Sequence, residues 1–252
     1  MGAHGASWIA SRISRRPLRV LTHCNAGALA TCGWGTALGV VRTLFARDLL
    51  SRVYVNETRP LLQGSRLTAY ELAHYGIAYV VQADVAAAST ILRGLVGVAI
   101  IGADRIAASG DTANKIGSLG VALACADAGI PFVVAAPWST IDLAARTGAD
   151  ISIEQRSGEE VLACGGVRTS PASAEAFNPA FDVTPTRADH RPRHRDRHPG
   201  DLLRPDPSLT KMGHRGDSRE AGSRFEIQPL TCTYVGVPRF ELGNLRSPRP
   251  AP

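Results

Sequence analysis

The sequence predicts an α/β fold in which a parallel β-sheet is covered by helices on both faces. Two observations lead to this prediction. Short apolar runs alternate with helix-length segments up to Pro185, and the apolar runs have little polarity inside them. Strands covered on both faces read as continuous apolar runs, and parallel neighbours need a crossover connection, usually a helix. We therefore expect repeated βαβ units on one sheet.

The predicted elements follow one another in regular order. Each predicted strand is a short run with apolar residues at its centre: Arg19–Thr22, Val53–Asn56, Ala78–Val81, Val96–Ile101 and Pro131–Ala135. Each predicted helix lies between two of these runs: Gly35–Arg47, Ser65–His74, Asp84–Leu92 and Thr112–Ala128. Asp84 suits an N-cap, and Gly129 suits the end of the last helix. The basic, acid-free residues ahead of the first strand faintly resemble a transit peptide, but a helix and a loop are favoured.

The composition changes abruptly after Pro185. The stretch TRADHRPRHRDRHPGDLLRPDP is dense in Arg, His, Pro and Asp and has no apolar period, which is typical of disordered segments. From Thr186 onward, thirteen Lys and Arg face eight Asp and Glu, so five of the six net positive charges of the chain lie there. A solvated tail is favoured over a nucleic-acid arm. The predicted organisation is an N-terminal helix and loop (1–17), a Rossmann-like domain (18–185) and a basic, disordered tail (186–252).

Several classes of protein are disfavoured by features that the sequence lacks. The longest apolar candidate is bracketed by Arg93 and Asp104 and is too short to span a bilayer. The five cysteines show no CxxC spacing, so neither a disulfide framework nor a zinc site is indicated, and free thiols suit the cytoplasm. The chain holds no GxGxxG, GxxxxGK[ST] or HExxH motif. No metal, dinucleotide or other cofactor is therefore predicted.

Polar and ionisable residues follow nearly every predicted strand. The segments that end the strands are His23-Cys24-Asn25, Asn56-Glu57-Thr58-Arg59, Gln82-Ala83-Asp84, Gly102-Ala103-Asp104-Arg105 and Ala136-Pro137-Trp138-Ser139-Thr140. In open parallel sheets, ligands bind beyond the carboxyl ends of the strands, where these segments converge. This convergence indicates an active site at one edge of the sheet.

Two of these residues are candidates for catalysis. Cys24 lies ahead of a predicted helix, where a thiol can have a lowered pKa and react as a thiolate; a buried structural cysteine is the alternative. Asp104 follows four apolar residues and a glycine, so we expect it to be partly buried, with the raised pKa of a proton donor. A helix cap or an ion pair with Arg105 is the alternative for Asp104.

Three further residues are candidates for substrate binding. Asn114 and Lys115 are predicted in the first turn of a helix, where free N–H groups and an ammonium suit a phosphate. A solvated lysine is the alternative reading. Gln63 opens another predicted helix, where its amide could bond a hydroxyl or a phosphate, or simply cap the helix.

Five motifs resemble one known family. LTHCNAGALATCGWGTALGVVR, VYVNETRPLLQGSRLTAYEL, IIGADRIAASGDTANKIGSLGVA, PFVVAAPWSTIDL and FNPAFDVTP are together similar to the methylthioribose-1-phosphate isomerase family, which is related to the regulatory subunits of initiation factor 2B. The similarity runs from about Gly5 to Pro185, and Ser109 stands where the family usually has Asn.

The resemblance implies an aldose–ketose isomerisation of 5-methylthioribose 1-phosphate to 5-methylthioribulose 1-phosphate. It implies Asp104 as the proton donor and Cys24 as the group that stabilises hydrogen transfer between C2 and C1, or as the base if an enolate forms. Gln63, Asn114 and Lys115 match substrate-binding positions of the family. The resemblance also implies a homodimer that uses no metal or nicotinamide, and the free thiols predict that it is cytoplasmic.

Two departures from the family are expected to matter. The family normally has a further N-terminal domain that contributes phosphate contacts, whereas this chain starts just ahead of the strand bearing Cys24. The sequence after FDVTP is unrelated to the family, and a shifted reading frame is our hypothesis for it. Two alternative functions stay open: a non-catalytic subunit like the initiation-factor relatives, and a ribose-1,5-bisphosphate isomerase.

Overall fold

The structure is a computed structural model that describes residues 1–14, 16–186 and, for the backbone alone, 232–235. Its strands are β1 (Leu18–Thr22), β2 (Leu50–Asn56), β3 (Tyr79–Gln82), β4 (Val98–Ile101), β5 (Arg105–Ala107), β6 (Thr112–Lys115), β7 (Phe132–Ala135), β8 (Ile141–Asp142), β9 (Ala163–Cys164), β10 (Val167–Arg168), β11 (Phe181–Thr184) and β12 (Cys232–Val235). Its α-helices are α1 (Gly2–Arg12), α2 (Ala28–Thr31), α3 (Ala37–Ala46), α4 (Ala69–His74), α5 (Ala87–Leu92), α6 (Ser118–Asp127) and α7 (Glu159–Leu162).

Six strands form one parallel sheet in the order β3-β2-β1-β4-β7-β12. β1 lies inside the sheet, where Val20 pairs with Val53 of β2 on one side and with Val98 of β4 on the other. The strand order therefore reverses between β1 and β4, and ligands of such sheets bind at this reversal, beyond the carboxyl ends of the strands. The predicted Rossmann-like parallel sheet is confirmed.

Successive strand residues point to opposite sides of the sheet, and helices cover the central strands on both faces. The cluster on one face joins the strands to α1, α3 and α4: Val20, Val53, Val98, Val133, Ile9, Val41 and Leu72. The cluster on the other face joins them to α5 and α6: Leu21, Ala99, Ile101, Val134, Ile91 and Val121. The helix predicted ahead of the first strand is found as α1, and it packs into the first of these clusters.

The predicted helix over Thr112–Ala128 is wrong in its first part. Residues 112–115 form β6, which pairs antiparallel with β5 on one side and with β11 on the other. Helix α6 begins only at Ser118, after Gly117 with its φ of 104°. Its first turn is capped from β11, since the Asp182 carboxylate accepts the N–H groups of Gly117 and Leu119. The pairing of β6 with β11, a strand far away in the chain, outweighs the local helical pattern of residues 112–115.

Two other predicted helices begin differently from the expectation. Gly64–Thr68 forms a π-helical turn ahead of α4, and Asp84–Ala86 forms a 3-10 turn ahead of α5. Asp84 is not an N-cap of its own helix. Its carboxylate instead accepts the N–H groups of Thr58 and Arg59, at 2.7 and 2.6 Å, and so fixes the loop after β2.

Most of the predicted disordered tail lies outside the described residues. Within it, Cys232–Val235 forms β12, which adds to the parallel sheet beside β7. Of the helices that the structure describes, none is both long and apolar enough to cross a bilayer.

Candidate active site

A cavity of about 340 Å³ lies beyond the carboxyl ends of the central strands. Cys24 reaches it from the end of β1 and Asp104 from the end of β4, on the two sides of the strand-order reversal. Asn114 and Lys115 reach it from β6, and Phe181 lines it from β11. A volume of this size suits a small-molecule ligand. Four of the five predicted site residues therefore share one cavity.

The backbone of Cys24 is held in an unusual conformation by two threonine hydroxyls. Its φ is 63°, in the left-handed region that non-glycine residues seldom adopt. The Cys24 N–H donates to Thr58 Oγ1 at 2.9 Å, and the Cys24 carbonyl accepts from Thr68 Oγ1 at 2.6 Å. Because β2's loop and the turn before α4 supply these two bonds, the surrounding fold maintains the strained backbone.

Glu71 supports the same loop from α4. It is 3% exposed, and its carboxylate accepts the Asn25 side-chain amide at 3.0 Å and the N–H of Ala28 at 2.8 Å. Neither Glu71 nor Thr68 is marked by a sequence motif as a residue that shapes the site, and Thr58 is marked only as part of a strand-end segment. The signal available was an acidic residue among the apolar positions of a predicted helix.

The prediction that Cys24 has a lowered pKa is wrong. Burial raises the pKa of its thiol, and the smaller opposing effects of the Asn25 N–H and the Lys115 ammonium do not reverse this. The helix beyond it, α2, is only four residues long and begins at Ala28. The cavity therefore holds a neutral thiol at neutral pH.

We expect the rate of Cys24 alkylation by iodoacetamide to rise with pH through a midpoint above about 8.5, the ordinary value for a thiol. The thiolate is the reacting species, so a raised pKa displaces the whole profile to higher pH. Peptide mapping by mass spectrometry separates Cys24 from the other cysteines, and a free thiol in the same tube is the control. A midpoint below that of the free thiol would contradict the raised pKa.

Asp104 is exposed, so the predicted partial burial is wrong. β4 ends at Ile101, and the next two residues carry the chain to the cavity rim, where the Asp104 N–H donates to the Ala113 carbonyl at 2.9 Å. Asp104 also lines a second cavity of about 380 Å³, together with Asp142. Arg105 pairs with Asp142 at 3.5 Å. Asp104 thus lines the cavity while it is exposed to solvent.

Asn114 and Lys115 lie on β6 and not in the first turn of a helix. The prediction that they form a phosphate site at a helix N-terminus is therefore wrong. The Asn114 amide donates to Ser118 Oγ at 2.8 Å. The Lys115 ammonium lies 4.5 Å from the centre of the Phe181 ring, and it has no ion pair among the described residues. Lys115 therefore brings an unneutralised cation to the cavity.

Gln63 is the predicted site residue that does not line the cavity. It lies directly ahead of the π-helical turn, and its Oε1 is buried without a hydrogen-bond partner among the described residues. Within that part of the chain, no cluster of three or more His, Cys, Asp or Glu side chains could hold a metal ion. The four cysteines described there form no disulfide with one another.

The fold and the cavity together define a Rossmann-like α/β protein with a cavity at the reversal of its strand order. The chain belongs to the initiation factor 2 subunit family, whose model matches residues 2–188.

The chain is also similar to named relatives and solved structures. It is 58% identical to methylthioribose-1-phosphate isomerase of Gloeobacter violaceus over 73% of this chain and 53% of that protein. It is 54% identical to the enzyme of the same name from Anaeromyxobacter dehalogenans, over 73% and 53%. The structure of 5-methylthioribose 1-phosphate isomerase from Pyrococcus horikoshii superposes with a TM-score of 0.68 at 47% identity, over 73% of this chain and 50% of that one.

A structure with a different name is nearly as similar. The delta subunit of translation initiation factor eIF-2B from A. fulgidus superposes with a TM-score of 0.67 at 43% identity, over 73% of this chain and 52% of that one. The chain spans about half the length of each of these four proteins.

Proposed function

We propose that this chain carries the catalytic cavity of a methylthioribose-1-phosphate isomerase of methionine salvage. The observation that carries the proposal is the meeting of Cys24, Asp104, Asn114 and Lys115 at one cavity. The names of the two relatives that are 54 and 58% identical to it over 73% of its length support the same activity. The reaction is a redox-neutral shift of hydrogen within one sugar, so the proposal includes no cofactor.

Asp104 is the proposed proton donor. A phosphate on the anomeric oxygen prevents the spontaneous ring opening of a free sugar, so an acid must protonate the ring oxygen as its bond to C1 breaks. The rim position of Asp104 gives its carboxyl access both to the cavity and to solvent, from which it can recover a proton. The exposed position agrees with a donor that is covered only when substrate fills the cavity.

Cys24 is the proposed group beside C1 and C2, where the hydrogen moves. A thiol with a raised pKa is a poor general base, because little of it is thiolate at neutral pH. This property favours a route in which hydrogen passes from C2 to C1 with its electron pair. The proton of C2–OH then leaves to solvent as C2 becomes the ketone, which balances the proton that Asp104 gives to the ring oxygen. The neutral thiol then supplies a weakly polar wall beside the reacting carbons.

Lys115 and Asn114 are the proposed partners of the phosphate and the sugar hydroxyls. Lys115 offers an ammonium without an ion pair among the described residues, and the Asn114 carboxamide lies next to it on β6. Gln63 is kept in the proposal as a binding residue, and its unpartnered Oε1 is an acceptor that a sugar hydroxyl could fill after a side-chain movement. A cytoplasmic homodimer without a nucleic-acid partner completes the proposal.

The test is an isomerase assay with a panel of substrates. The purified chain is incubated with 5-methylthioribose 1-phosphate, ribose 1,5-bisphosphate and free methylthioribose, and the ketose products are measured. The proposal expects conversion of the first compound alone. A chimera that adds the segment of the Gloeobacter violaceus relative not covered by this chain is assayed in parallel. Absence of turnover in both the chain and the chimera would contradict the proposal.

A non-catalytic regulatory subunit is the second candidate, favoured by the structural similarity to the eIF-2B delta subunit. That function has no need of an acid and a thiol facing one sugar-sized cavity. The substrate panel separates the two candidates, since a regulatory subunit would bind without converting any of the three compounds.

A further inference from the structure

His23 is a buried polar side chain that the proposed reaction does not use. It lies between β1 and Cys24 and is 1% exposed. Its Nε2 lies 2.8 Å from the carbonyl oxygen of Ile116, the residue directly after Lys115. The imidazole therefore bridges the segment that carries Cys24 and the segment that carries Lys115, one residue away from each.

The direction of the hydrogen bonds around His23 is determined by the Ile116 carbonyl. A carbonyl oxygen can only accept, so Nε2 must carry the hydrogen. In the neutral ring, Nδ1 is then an acceptor, and the Asn56 side-chain amide donates to it at 3.1 Å. Burial lowers the pKa of His23, which keeps the ring neutral in this tautomer.

Gln82 and Thr90 extend the hydrogen bonds of His23 into a chain in which every donor points toward Ile116. The oxygen of the Asn56 amide accepts from Gln82 Nε2 at 2.9 Å, which leaves the Asn56 nitrogen for His23. Gln82 Oε1 in turn accepts from the Thr90 hydroxyl at 2.8 Å. The chain crosses β3, β2 and β1 and ends at Ile116, so each partner supports the same orientation of the next.

The ring also packs closely against the turn that follows Ile116. A Cβ on Gly117 would lie 2.9 Å from His23 Cε1, so a side chain at this position would displace the imidazole. Gly117 has a φ of 104°, which a glycine adopts without strain. Hydrogen bonding and packing thus both tie His23 to the end of β6.

We propose that His23 is a positioning residue that, as the neutral Nε2–H tautomer, holds Cys24 and Lys115 at a set separation across the cavity. Cys24 faces the reacting carbons and Lys115 the phosphate, so their separation determines where the sugar lies relative to the thiol. The kinetic part of this inference rests on the proposed isomerase function; the tautomer and the separation of the two residues do not.

The tautomer is tested by nitrogen NMR of the full chain labelled with ¹⁵N-histidine. We expect one imidazole with a protonated Nε2 and a bare Nδ1 that stays neutral at pH 6.5, where an ordinary histidine is about half protonated. Its loss in His23→Gln assigns the signal. A protonated Nδ1, or a ring that titrates near pH 6.5, would overturn the proposal.

The positioning role is tested by two uncharged replacements. In His23→Gln the amide nitrogen can take the place of Nε2 and still donate to Ile116, whereas the shorter side chain of His23→Asn reaches only as far as Nδ1. We expect His23→Asn to lower kcat about 100-fold with little change in KM. We expect His23→Gln to keep most of the wild-type kcat. Equal losses in two variants with native circular dichroism would overturn the proposal.

Cys24 alkylation separates this inference from the isomerase proposal. The Lys115 ammonium lowers the pKa of Cys24, so a larger separation raises it and slows alkylation. If the wild-type chain shows no turnover, His23→Asn is still expected to have a higher alkylation midpoint than His23→Gln. Identical alkylation profiles would then overturn the positioning role, and the absence of turnover would count against the isomerase alone.

Discussion

Asp104→Asn is expected to lower kcat for isomerisation about 10²- to 10⁴-fold, the usual contribution of a general acid. Asparagine keeps the size of the side chain and its place at the cavity rim but has no proton to give to the ring oxygen. Because the proton is needed mainly in the transition state, KM should change much less than kcat. Steady-state kinetics on 5-methylthioribose 1-phosphate measure both constants.

Asp142→Asn is the matched control for this prediction. Asp142 is a carboxylate that lines the neighbouring polar cavity with Asp104 but does not line the cavity of Cys24. Its pair with Arg105 is partly exposed and contributes little to stability, so we expect nearly wild-type kinetics. Equal activity of wild type and Asp104→Asn would remove Asp104 as the acid and leave the cavity without a proton donor in the proposed role.

Gly64→Ala is expected to lower the free energy of unfolding by more than about 4 kcal/mol, a loss that only severe structural conflicts cause. A Cβ at this position would overlap the carbonyl oxygen of Asn56, and it would also lie 3.0 Å from Thr58 Oγ1. Neither neighbour can yield easily, because Asn56 belongs to the hydrogen-bond chain of His23 and Thr58 holds the Cys24 backbone. Urea unfolding followed by circular dichroism measures the change.

Gly120→Ala is the matched control for the glycine prediction. Gly120 lies within α6, and a Cβ there would meet no atom within 4 Å. Alanine should therefore stabilise the helix by about 0.5–1 kcal/mol. If Gly64→Ala unfolded at the same urea concentration as wild type, the close approach of the π-helical turn to β2 would not exist in solution.

Strand Val98–Ile101 shows why the sheet itself could be predicted. Its four residues are apolar throughout and fully buried, as a strand between two covered faces requires. The same local signal marked Leu18–Thr22 and Phe132–Ala135, although the observed bounds differ by up to two residues. Because parallel strands align their carboxyl ends, the meeting of Cys24 and Asp104 followed from these runs without any knowledge of side-chain contacts.

Residues 112–115 show where the local signal failed. Their conformation is decided by two antiparallel partners, and one of them, Phe181–Thr184, is far away in the chain. The burial of Cys24 and the exposure of Asp104 likewise depend on the many residues that pack around each group. A motif shows which residues end a strand, but the sign of a pKa shift depends on the solvent that the whole fold leaves at that point.

Apolar periodicity and chain order were thus sufficient for the layered α/β architecture and for the edge of the sheet where polar residues gather, because both depend on signals a few residues long. The antiparallel pairing of β6 with β11, the hydrogen-bond chain ending at His23 and the loop held by Glu71 emerged only in three dimensions. Each of them joins residues that are tens of positions apart, and the free energy of such contacts has no counterpart in any short stretch of the sequence.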